Sequence, residues 1–153
     1  MVEKATELGV DAIECFEAMR TDRGLAQGAR KRMIRWQRVA VEASEQSRRA
    51  TLPEVSGPEA VDRLLTSACD VKLFLDEDPG TPGLWSVINQ HWPERTSEHR
   101  IGVLLGPEGG WTDSERTKIV EAGWRRCSLG SMVLRAETAA IAALSVVNML
   151  WDR

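Results

Sequence analysis

The chain has 153 residues, room for one hydrophobic core and too few for two full domains. Hydrophobic residues make up 42% and charged residues 28%, which excludes a disordered or fibrous chain, and no run of about 18 apolar residues is present to cross a bilayer. A formal charge of −3 counts against a nucleic-acid partner, but residues 20–49 hold nine Arg or Lys against Asp22, Glu42 and Glu45, a local +6 that leaves −9 for the rest.

In chain order, residues 3–9 are the first expected helix, stopped by Gly9, and residues 10–17 a strand. Residues 1–20 lack the basic and apolar pattern of a secretory leader, and Glu3, Glu7 and Asp11 argue against a mitochondrial one, so a cytoplasmic location is expected. Residues 20–29 carry two glycines and read as a mobile loop. Residues 30–49 form a helix with Trp36, Val39, Ala40 and Ala43 on one face and Arg38, Glu42, Glu45 and Arg49 on another. Leu52-Pro53 ends it. The basic charge of this segment fits either phosphate contacts or a solvated helix face.

Residues 59–68 are expected to be helical, and residues 71–75 are a continuous apolar run typical of a strand covered on both faces. The acidic turn Asp76-Glu77-Asp78-Pro79-Gly80 follows, then a short helix at 84–90 and a polar loop at 91–100. His91 and His99 in that loop lack metal-ligand spacing to Cys15, Cys69 or Cys127, so no metal is expected and the thiols read as reduced. Residues 101–105 are a second buried strand. Residues 112–122 are a helix with Thr112 as N-cap and Glu115 at the capping-box position.

Residues 124–129 form a strand and 130–134 a turn, before a final helix at 136–151. That helix is apolar almost all round, with Thr138, Ser145 and Asn148 polar in its middle, so its own domain or a partner subunit must cover most of it. A homodimer is expected. Strands alternating with helices give an α/β fold, a parallel sheet flanked by helices.

Three loops follow apolar strands: residues 76–80, Gly106-Pro107-Glu108-Gly109-Gly110, and residues 130–135. Loops at the carboxyl ends of parallel strands share one edge of the sheet and can converge on one pocket. The glycine-rich turn is otherwise a tight connection that uses its glycines for backbone angles. It is no nucleotide-triphosphate loop, since no Lys-Ser/Thr pair follows.

With these residues laid out, the chain resembles a known family. GPEGGW at 106–111, followed by LGSMVLRAETA at 129–139, is similar to the two signature segments of SPOUT-class RNA methyltransferases of the ribosomal RNA small subunit methyltransferase E type. EKATELGV at 3–10, and RWQRVAVEASEQSRR with Leu52-Pro53 after it, match two more, so the likeness runs from about residue 3 to residue 150. The resemblance implies methylation of ring nitrogen 3 of a uridine in small-subunit (16S) ribosomal RNA, with S-adenosylmethionine as donor and free RNA or the small subunit as partner. It also implies a C-terminal segment threaded as a deep trefoil knot, with the final helix in the core and at a dimer interface. Ordinary chain packing would not suggest a knot.

Two features depart from the family pattern. Its members carry a β-barrel RNA-binding domain ahead of the ELG segment, whereas Met1-Val2 alone precede it here, so residues 1–153 read as the methyltransferase domain without the barrel. Met132 stands where the family's LGxRxLR pattern has arginine.

Methylating a uridine ring nitrogen requires removal of its proton and an aligned donor, with a cation to stabilise the anion. Arg135 is the candidate for anion stabilisation and Glu137 or Glu45 for the base; the structural alternative is an Arg135–Glu137 ion pair bracing the loop. The cofactor is expected on Leu75, Gly106, Pro107, Glu108, Gly109, Gly110, Leu129, Gly130 and Leu134, with Thr138 in the first turn of the last helix. Arg20, Arg35, Arg38 and Arg49 are candidates for ribose-phosphate contacts, or else solvated charges. Trp111 is expected to anchor the glycine loop. The competing functions are a cofactor-binding dimer without transfer activity and a SPOUT ribose 2′-O-methyltransferase.

Overall fold

The computed structural model describes residues 1–21 and 23–151, with side chains except at 23–27, 29, 30 and 64. In chain order its elements are α1 (Val2–Glu7), β1 (Ala12–Glu17), α2 (Arg23–Gln46), β2 (Glu54–Ala60), α3 (Val61–Leu64), β3 (Val71–Leu75), α4 (Leu84–His91), β4 (Ile101–Leu104), α5 (Asp113–Glu121), β5 (Arg125–Cys127) and α6 (Ala136–Trp151). The strand pairs are parallel, as the alternation predicts, but the strands fall into two sheets: β1 with β2, and β4-β3-β5 with β3 in the centre.

The central strand sets the layers. Val71, Leu73 and Leu75, two residues apart, share one face of β3 and pack with Leu84, Val87 and Ile88 of α4 and Ala143, Val147 and Trp151 of α6. Phe74 joins a cluster on the other side with Leu104, Trp111, Ile119 of α5 and Trp124. Full burial of an aliphatic or aromatic side chain stabilises by about 1.5–3 kcal/mol; β3 buries Val71, Leu73 and Phe74 completely, so both helical layers are fastened to this one strand. A third cluster of Val2, Ala40 and Val55 joins α1 and α2 to β2. Cys127 is buried in β5 and its thiol is pushed up to about 12 by burial, which keeps it protonated and inert.

Some expected boundaries move. The expected loop at 20–29 is mostly helix, since α2 begins at Arg23 and carries Gly24 and Gly28 at a cost of about 1 kcal/mol each. It ends at Gln46 rather than Arg49, with Arg48 in the left-handed region at φ 56. The expected helix at 59–68 shrinks to four-residue α3. Strand β2 has no counterpart in the sequence reading because Gly57-Pro58 in its middle reads as a turn. There Gly57 lies against the Cys15 backbone, beside the register shift between Glu14 and Phe16.

Helices α4, α5 and α6 match their expected bounds closely. In α5, Thr112 Oγ1 accepts from the Glu115 N–H at 3.3 Å, and Glu115 Oε2 accepts from the Thr112 N–H at 2.9 Å, a complete capping box. In α6 one face is buried, while Ile141 and Met149 stand 40% and 83% exposed. Among the described residues no helix is long and apolar enough to cross a membrane.

Candidate functional site

The segments that leave β3, β4 and β5 meet at the carboxyl edge of the three-stranded sheet and enclose a cavity of about 570 Å³. The first wall is Leu75, Asp76 and Glu77, the second Leu105, Gly106, Pro107, Glu108 and Gly110. The third runs from Ser128 through Gly130 to Met132–Ala136, with Ala139 of α6 behind it. The size is in the range of small-molecule sites.

The second wall is shaped from beneath by Trp111. Its fully buried indole donates from Nε1 to Leu75 O at 3.2 Å, meets Phe74 edge-on and stacks on Phe16. A Cβ on Gly106 would stand 2.6 Å from that Nε1, so only glycine lets the backbone lie on the indole. Gly110 has φ 68, and the Glu77 carboxylate occupies the space a side chain there would need. The second wall is thus keyed to the first.

The first wall is held by charge. Asp76 has a wholly buried side chain that accepts from Arg116 Nε at 2.9 Å and Nη2 at 3.2 Å, and from Arg126 Nε at 2.5 Å. Burial alone would raise its pKa, but the hydrogen bonds from Arg116 and Arg126 outweigh it and hold the carboxyl below its ordinary value. Arg126 also reaches Asp78 at 2.6 Å, and Arg116 reaches Asp113 at 3.1 Å. This cluster ties the 76–78 turn to α5 and β5. Backbone bonds from Ser128 N to Pro82 O and from Leu84 N to Ser128 O, both 2.8 Å, close the same side.

Residues 1–148 match the family model of the RNA methyltransferase domain. The chain belongs to the RNA methyltransferase domain family. It is 33% identical to the ribosomal RNA small subunit methyltransferase E of Synechocystis, over 99% of this chain and 49% of that protein. The Bacillus subtilis protein of the same name is also 33% identical, over 97% and 59%. A crystal structure of a ribosomal RNA small subunit methyltransferase E from Neisseria gonorrhoeae, bound to S-adenosyl methionine, is similar with a TM-score of 0.83 at 33% identity, over 98% of this chain and 59% of that one. The chain therefore spans about half to three-fifths of the length of these family members.

Within this methyltransferase domain, Leu75, Gly106, Pro107, Glu108, Gly110, Leu129, Gly130, Leu134 and Arg135 line the cavity. Gly109 and Thr138 are not in its lining. Asp76, Glu77, Leu105, Ser128, Met132, Val133, Ala136 and Ala139 also line it, though none is among the residues expected to hold the cofactor. The rule that selected their neighbours, a loop directly after an apolar strand, covers most of them.

The structural alternative, an Arg135–Glu137 ion pair, is not made. Glu137 lies outside the cavity lining, its side chain 75% exposed, and Oε1 accepts from the Met1 amine at 3.3 Å. Glu45 is exposed on α2 and is likewise absent from the lining.

The basic candidates divide. Arg49 is corrected from a phosphate contact to an internal brace: its side chain is only 11% exposed and Nη1 donates to Thr6 O at 2.9 Å and Val10 O at 2.7 Å. Arg20 donates to Gly109 O and Trp111 O. Arg38 is exposed and pairs with Glu42 at 2.7 Å, and Arg35 is exposed on the same helix. Arg23 and Arg30 have side chains outside the described set.

Proposed function

We propose that this cavity binds S-adenosylmethionine and that the domain methylates ring nitrogen 3 of a uridine in small-subunit ribosomal RNA. The observation that carries the reading is the meeting of three post-strand walls on one cavity, in a chain of the RNA methyltransferase domain family. The residues present fit the cofactor. Leu75, Leu105, Leu129 and Leu134 offer an apolar slot for a purine, and Gly106, Gly110 and Gly130 allow close backbone approach. Glu77 and Glu108 supply negative charge toward a cationic ligand.

Bound there, the cofactor supplies an electrophilic methyl group. The remaining work falls to the chain. Arg135, exposed in the third wall and without an ion pair among the described residues, is placed to stabilise negative charge on the uracil carbonyls. Glu108, in the cavity lining, takes over from Glu137 and Glu45 as the carboxylate that accepts the ring proton. Arg35 and Arg38 on α2 contact phosphates.

The reading includes a single methyltransferase domain over residues 1–153, a trefoil-knotted C-terminal segment, a cytoplasmic location, metal-independent chemistry and a homodimer. Support for the dimer is the exposed apolar side of α6 at Ile141 and Met149.

Calorimetric titration with S-adenosylmethionine, followed by mass-spectrometric mapping of methylated nucleosides in naked RNA and assembled small subunits, tests the proposal. Absence of binding sinks the cofactor reading. Binding without transfer favours a scaffold, and a methyl on a ribose oxygen refutes the choice of atom.

A further inference from the structure

The end of β1 and the corner after it are fastened from outside the cavity by three contacts of different kinds, two to the 106–111 loop and one to the first turn of α5. Phe16 stacks on the Trp111 indole with ring centroids 5.8 Å apart. The Met19 N–H donates to Glu115 Oε1 at 2.8 Å, on the carboxylate whose other oxygen accepts from the Thr112 N–H and hydroxyl. Arg20 Nη1 donates to Gly109 O at 3.1 Å and to Trp111 O at 3.3 Å. It lies so close that a Cβ on Gly109 would stand 3.0 Å from the Arg20 Cβ.

Of the three contacts, only Arg20 reaches the peptide units of the glycine turn itself. Gly109 sits between Glu108 and Gly110, both of which line the cavity. A peptide unit is planar, so the Arg20 bond to the Gly109 carbonyl and the bond from the Gly110 N–H to Pro107 O at 2.9 Å hold the same plane from both ends. A charged donor strengthens the hold, because hydrogen bonds from a guanidinium are roughly twice as strong as neutral ones.

We propose that Arg20 is a positioning residue for the cofactor pocket: it braces the Gly109 and Trp111 carbonyls from behind and so fixes the wall against which the cofactor lies. It is not a phosphate contact. The inference rests on the reading of the cavity as an S-adenosylmethionine site and adds to it a residue outside the cavity lining, contributed by the corner that leads into the basic helix α2.

Three variants, Arg20→Ala, Arg20→Gln and Arg20→Lys, test it by calorimetry with S-adenosylmethionine, anisotropy with a labelled small-subunit ribosomal RNA fragment, and amide hydrogen exchange across residues 106–111. Arg20→Ala is expected to weaken the cofactor roughly three- to tenfold, as loss of charge-assisted hydrogen bonds in a partly exposed setting predicts. RNA affinity of the cofactor-free protein stays within about twofold, since phosphate contacts that carry RNA affinity are made elsewhere. The 106–111 amides exchange faster.

Arg20→Lys restores most of the cofactor affinity, because an ammonium can donate to both carbonyls. In steady-state assays the KM for cofactor rises while kcat is nearly unchanged. Wild-type cofactor affinity in Arg20→Ala, or a loss of RNA affinity in its place, overturns the inference. Failure of the wild-type protein to bind S-adenosylmethionine would instead sink the pocket reading, and the exchange rates at 106–111 in Arg20→Gln would still decide whether Arg20 holds the loop.

Discussion

Replacing Asp76 by Asn removes one charge and keeps the shape of the side chain. Three guanidinium nitrogens lie within hydrogen-bond distance of this wholly buried carboxylate. Neutralising one member of a buried pair costs about 3–5 kcal/mol. Here Arg116 and Arg126 are partly exposed and hold second acids, Asp113 and Asp78, so about 2–3 kcal/mol is expected. For a chain of this length that corresponds to roughly 4–12 °C in Tm, read by thermal or urea unfolding.

The pH dependence has a definite sign. The carboxyl is held below its ordinary value of 3.8, so its contribution is full above that value and is lost as pH falls through the folded-state pKa. Wild-type and D76N stabilities therefore converge as pH drops below about 4. A gap under about 0.5 kcal/mol at pH 7, or one that stays constant into the acid range, would refute the assignment of this cluster as the anchor of the first wall.

Gly106→Ala drives a methyl group to within 2.6 Å of the Trp111 Nε1 and is expected to cost about 1–3 kcal/mol by overpacking while abolishing cofactor binding; calorimetry that shows normal affinity would contradict the placement. Arg49→Met strips donors from Thr6 O and Val10 O and should lower stability by about 2 kcal/mol with no change in RNA affinity, which unfolding and filter-binding measurements separate. Met149→Glu puts a charge on the exposed apolar side of α6 and is expected to yield a folded monomer in analytical ultracentrifugation. A dimer that survives it would remove α6 from the interface.

What could be read from the sequence followed from strong local signals. The apolar runs that became β3 and β4 and the capping box of α5 need no knowledge of distant residues. The cavity was legible to the same degree: glycines directly after buried strands mark a wall, and eight of the ten residues proposed for the cofactor lie in its lining.

What escaped depends on partners far away in sequence. Asp76 looked like one member of an acidic turn, and nothing nearby announces that Arg116 and Arg126 neutralise it. Arg49 reads as one more charge on a basic helix until the carbonyls of Thr6 and Val10 are brought to it. Strand β2 hid behind Gly57-Pro58, whose local chemistry argues for a turn and is overridden by pairing with β1. Glu137 shows the reverse failure, since adjacency to Arg135 suggested a pair that the start of α6 does not make.

The three cavity walls begin at residues 75, 105 and 128, and they share a base only because β4 and β5 each pair with β3. No single stretch of chain carries the pocket. A ligand seated there is felt by the whole three-stranded sheet, so its binding energy opposes global unfolding rather than the fraying of one loop. At a hundredfold excess over Kd that protection amounts to about 2.7 kcal/mol. Ligand-dependent slowing of exchange in the buried amides of β3, outside the glycine turns, would then report occupancy of the site as faithfully as any probe placed within it.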